Sequence, residues 1–65
     1  MNNNTRPTAS AVRALVVSLL AIKRVATPEK AAWIESRIDV ALGSLLRGQI
    51  AAAHVTATAA LRDAT

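Results

Sequence analysis

Few side chains in this sequence could carry chemistry: one histidine (His54), two acids one helical turn apart (Glu35 and Asp39), and one tryptophan (Trp33) with a cation four residues later (Arg37). An enzyme of the usual kinds needs a nucleophile, a base and a group that orients the base, or else a cluster of metal ligands. His54 has no acid three or four residues away on either side, so nothing local orients it as a base. It reads instead as a partly buried or surface residue beside a seam of alanines. Glu35 and Asp39 share a helical face at i, i+4 and could offer two carboxylates to a cation. Pairs of this kind are more often solvated, or face arginines on a neighbouring helix. There is no cysteine, and the two glycines make no phosphate-cradling loop. The expectation is a protein that is not an enzyme and carries no metal and no cofactor.

Trp33 points to a different kind of chemistry. With Arg37 one turn on, Val40 one heptad on and Ser44 beyond it, Trp33 forms a stripe that is apolar and edged by a cation. Tryptophan and arginine are the residue types in which binding energy concentrates at protein interfaces. Two readings stand side by side. In one, Trp33 folds over the end of the first helix or a loop; in the other, Trp33, Arg37, Val40 and Ser44 bind a partner, either a second copy of the chain or a foreign protein.

The elements that must position this stripe are helices. The chain has 65 residues, 52% of them hydrophobic, yet fifteen are alanine and none is Phe, Tyr or Cys. Alanine has the highest helix propensity and loses no side-chain entropy on folding, so the composition predicts an all-α fold with closely approaching helices. The best-signalled element runs over 28–47. Thr27 stands at the N-cap, Pro28 at the first helical position, and Glu29 faces the positive end of the helix. Ala31, Ile34, Ile38, Ala41, Leu42 and Leu45 then recur at spacings of three and four on the side opposite Trp33. Gly43 inside this pattern costs about 1 kcal/mol relative to alanine and points to close packing or a bend. Gly48 is the better stop, although a helix running through it is compatible with the pattern.

Before this element, Met1 to Pro7 is polar and reads as a disordered leader, so 8–65 is taken as the single domain. Thr8 or Ser10 can cap a helix over about 9–26. Its apolar positions Val12, Leu15, Val16, Leu19, Leu20 and Ile22 cover more than half the circumference. The third helix, 49–63, is a thinner amphipath along Ile50, Ala53, Ala57 and Leu61, fraying near Ala64. The expected architecture is a helical hairpin with the third helix over part of its groove. A chain this short buries only about 60% of the surface its unfolded form exposes. Two thin neighbours cannot cover the first helix, so the pattern predicts a homodimer, a dimeric helical bundle joined through Val12, Leu15, Val16, Leu19, Leu20 and Ile22.

Eight bases against four acids give a net charge of +4, but the bases are scattered, with Lys23-Arg24 the closest pair. The longest apolar run, ALVVSLLAI, lies between Arg13 and Lys23 and falls short of the roughly 20 residues of a membrane-spanning helix. It has the outline of a secretory signal, except that Lys23-Arg24 occupy the place where a cleavage region needs small neutral residues. Together with the absence of cysteine this predicts a cytoplasmic protein.

Segment 48–63 resembles the DNA-binding helix-turn-helix motif, in which an Ile-Ala pair opens the first helix and a Val-Ser or Val-Thr pair opens the recognition helix. Gln49-Ile50-Ala51 and Val55-Thr56 are the matching pieces, one residue short in spacing and with His54 where the turn glycine belongs. The resemblance implies a small basic DNA-binding regulator. Phosphate binding would need bases gathered on one face, which the scattered charge does not provide. The leading expectation is therefore a small helical interaction protein, a regulator or inhibitor that docks on a second protein through an apolar and basic helix face, with nucleic acid as the alternative partner and an anionic membrane surface, suited to the apolar face and basic end of the first helix, as a third.

Overall fold

The computed structural model describes residues 6–65. Within them the chain forms three helices packed together, α1 (Ala9–Arg24), α2 (Pro28–Leu46) and α3 (Ile50–Ala64), and no strand. Most of the proposed leader, residues 1–5, lies outside the described residues; Arg6 and Pro7 are exposed and precede the first helix.

Each boundary has a local cause. Thr8 rather than Ser10 caps α1, its Oγ1 accepting from the Ala11 N–H at 3.1 Å. The helix stops at Arg24, two residues short of the expectation. Val25 and Ala26 donate to the carbonyls of Ile22 and Lys23, tightening the last turn to i→i+3 bonds, because Thr27 must be extended ahead of Pro28. Thr27 caps α2 as its position suggests, its Oγ1 accepting from the Lys30 N–H at 3.3 Å. At the other end Gly48 adopts φ 79°. The Gly48 N–H reaches the Leu45 carbonyl at 3.0 Å and the Gln49 N–H reaches the Ser44 carbonyl at 2.9 Å, the paired bonds of a Schellman cap. The helix therefore ends at Gly48 and does not run through it.

The two glycines should respond to alanine with opposite signs. A Cβ at Gly48 meets no atom within 4 Å, so the whole cost of Gly48→Ala is the left-handed backbone, about 1–2 kcal/mol. Gly43 sits inside α2, and a Cβ there meets only the flexible guanidinium of Arg47, at 3.7 Å. No close packing requires this glycine, and Gly43→Ala should stabilise by about 0.5–1 kcal/mol through helix propensity. Thermal unfolding should place the two variants on either side of the parent, each displaced by roughly 4–8 °C per kcal/mol.

The core is built from Val12, Val16 and Leu19 of α1, Ile34, Ile38 and Ala41 of α2, and Ala53, Ala57, Ala60 and Ala64 of α3. In α3 the buried line is wholly alanine, with Ile50 and Leu61 packed at its side. These small side chains let the α3 backbone lie close to both neighbours, and its contact with α2 is the most extensive in the fold. So α3 is more than a thin cover: Ala64, where fraying was expected, is buried, and the Thr65 N–H still closes onto the Leu61 carbonyl at 3.2 Å.

That packing covers three of the six residues expected at the dimer surface. Val12, Val16 and Leu19 are 0%, 7% and 0% exposed within a single chain, so a second copy cannot reach them without opening the bundle. Leu15 and Ile22 are half-buried, and only Leu20 of the six faces outward. The reason is that α1 is covered from two sides, by the large side chains of α2 and by the alanine face of α3.

Candidate functional site

The stripe Trp33, Arg37, Val40 and Ser44 lies along the side of α2 on which α3 folds back. The turn at Arg47-Gly48-Gln49 returns the chain so that the end of α3 runs beside the start of α2, bringing Ala60 and Asp63 alongside Trp33. Ser44, nearest this turn, is consequently buried, at 6% exposure. It cannot touch a partner, and its assignment to a binding surface is corrected on that ground.

Further from the turn the two helices leave an open cleft of about 320 Å³ lined by Trp33, Arg37, Val55, Thr56, Ala59, Ala60 and Asp63. Trp33 is half-buried and packs against the core, so it folds over α3 rather than over the end of α1 or a loop. The Arg37 guanidinium carbon lies 5.8 Å from the centre of the Trp33 ring, within the range of a cation–π contact. Arg37 itself is exposed. Val55 forms the opposite wall and is 66% exposed; Val40, on α2 one heptad beyond Trp33, is 47% exposed. The cleft thus combines an aromatic floor, an apolar wall, one cation and one carboxylate. Each of these can hold a partner side chain.

Val55, Thr56 and Asp63 were not among the residues singled out for binding. A signal for them exists in the sequence, because Val55, Ala59 and Asp63 follow one another at four-residue spacing and so share a face of α3. It is hard to see because alanine supplies the middle of that face.

His54, Thr58, Glu35 and Lys23 are not among the residues that line the cleft. The His54 Nδ1 lies 3.5 Å from the Thr58 Oγ1 one turn along the same helix. Glu35 meets a cation, Lys23 of α1, at 3.5 Å, with the carboxylate side 62% exposed. A surface pair of this kind adds roughly 0–1 kcal/mol. Among the described residues no three His, Cys, Asp or Glu side chains come together as metal ligands. No described helix is long and apolar enough to cross a membrane.

The resemblance of 48–63 to a helix-turn-helix does not survive in three dimensions. Ile50 to Ala64 is one unbroken helix, so His54 and Val55 occupy helical positions where the motif needs a turn. Alanine at seven of its fifteen positions favours continuing the helix, and nothing between Ile50 and Ala64 interrupts it.

No protein-family model matches this chain, and no match was found among curated proteins or among solved structures.

Proposed function

We propose that this protein is a small non-enzymatic interaction module that seats part of another polypeptide in the cleft between α2 and α3, and so regulates or blocks that partner. The observation that supports this reading is Trp33, half-open beneath Arg37 and facing the exposed Val55 across the cleft. An aromatic ring and a guanidinium at the centre of a concave apolar patch are the pattern of an interface hot spot. Val40 extends the patch along α2, and Asp63 gives the cleft a carboxylate for a basic or amide group of the partner.

Trp33 is the only tryptophan in the chain, so its fluorescence reports directly on this cleft. A captured partner should shift the Trp33 emission as it displaces water from the ring. Val55→Glu and Arg37→Glu, both at exposed positions, should each weaken capture about tenfold or more while the helical circular dichroism and the unfolding midpoint stay close to the parent. Trp33→Ala should abolish capture. Since Trp33 also packs on the core, the two exposed variants decide the matter. Undiminished binding by both would remove the cleft from consideration.

A further inference from the structure

The outer face of α1 is separate from this cleft and carries a charge pattern of its own. Val17 is 64% exposed and Leu20 is 44% exposed. With Ala21, Lys23 and Arg24 they line a shallow open depression of about 510 Å³. Arg13, Val17, Leu20 and Arg24 fall at spacings of four, three and four, so they form a single stripe along the helix. All four side chains face solvent. Two apolar residues thus sit at the centre with an arginine at each end, about 16 Å apart along the axis. α1 contains no acid.

The symmetry of this stripe selects its occupant. Arg13 and Arg24 are equally distant from the midpoint between Val17 and Leu20. A second copy packed antiparallel would set Arg13 against Arg24 at both ends, and a parallel copy would set each arginine against itself. Both arrangements juxtapose like charges, which suppresses such pairing. The acids of another copy are a poor complement, since the nearest match, Glu29 and Asp39 of α2, stands ten residues apart and about 80° round the helix from one another. Glu29, Glu35, Asp39 and Asp63 include no pair eleven residues apart. A lipid surface is matched poorly, because Val17 and Leu20 offer little area to insert. Of the other large exposed apolar side chains, Val25 caps the end of α1 and adds one residue there, while Val40, Leu46 and Val55 lie on α2 and α3.

We propose that the outer face of α1 docks an acidic amphipathic helix of a partner protein, whose carboxylates eleven residues apart bracket two apolar side chains and meet Arg13 and Arg24. Val17 and Leu20 supply the apolar contact, the paired arginines set the register, and Lys23 adds charge at one end although it also reaches Glu35. This surface does not depend on the α2–α3 cleft.

The test uses the full chain and a synthetic helical peptide of about 18 residues carrying Glu at the two bracketing positions and Leu at the two between them, a length that spans the stripe. The same peptide with Lys in place of Glu is the control. The Glu peptide should bind, about tenfold or more weakly when the ionic strength is raised to about 0.5 M, and the Lys peptide should not. The double variant Arg13→Glu/Arg24→Glu should reverse the preference and bind the Lys peptide, a result that mere unfolding cannot give. Val55→Glu, at an exposed position of the cleft, should leave Glu-peptide binding unchanged, which separates this surface from the cleft. Equal binding of the two peptides, or no binding of the Glu peptide, overturns the proposal. Two other outcomes overturn it as well: capture by phosphatidylserine vesicles with no peptide bound, and a dimer in sedimentation that Val17→Ser dissolves.

Discussion

Leu19→Ala should remove a large part of the stability of this protein, about half at the middle of the expected ranges. Leu19 is fully buried and is among the largest such side chains, with Ile34 and Val12. Truncating a buried leucine to alanine costs about 2–5 kcal/mol, the lost transfer energy plus the cavity left behind. A chain of 65 residues has a total stability of roughly 3–10 kcal/mol. Urea denaturation should therefore show the variant unfolded or with a clearly lowered midpoint, by about half at the middle of both ranges. Leu46→Ala is the control, since Leu46 is 88% exposed and should change stability by about 0.5 kcal/mol or less. The same experiment separates a core role for Leu19 from an interface role. If Leu19 were shielded by a second copy, the parent's midpoint would rise with protein concentration. A midpoint independent of concentration, together with a large Leu19→Ala effect, is the expected result.

Ala57→Leu should be destabilising although it adds apolar area. Ala57 is 0% exposed in the middle of the α3 alanine line. Three additional carbons there have no space while α3 lies close to α1 and α2, and overpacking a tight core costs about 1–3 kcal/mol or more. The expected result is a lowered thermal midpoint, with α3 displaced outward and Trp33 more exposed, read as a red shift in its emission. Ala52→Leu, on the exposed side of the same helix, should leave stability within about 0.5 kcal/mol of the parent. If Ala57→Leu were as harmless as Ala52→Leu, the alanine line would not be a close-packed seam, and the account of how α3 shapes the cleft would fail with it.

These contrasts show how far the sequence reaches. It determines the three helices and most of their ends, because those depend on short-range chemistry. Thr27-Pro28 starts α2, the backbone freedom of Gly48 stops it, and alanine-rich composition makes each segment helical. It also marks Trp33 and Arg37, which stand out by type and spacing. What it does not settle is which part of the broad apolar surface of α1 is sealed and how far α3 covers α2, because burial there is decided by neighbours distant in the chain. Leu19 and Leu20 are adjacent and chemically identical, yet one is sealed in the core and the other faces water. Ser44 shares its stripe with Trp33 and Val40 but lies beneath the return of α3. The cleft, likewise, exists only once α3 folds back, since its second wall of Val55, Ala59 and Asp63 belongs to a helix whose packing strength comes from small residues. Amphipathic patterning scores large side chains, whereas close helix approach rewards alanine; that mismatch is why the tertiary structure, and not the sequence, assigned α1 to the core of a single chain and left its arginine-bracketed outer face open.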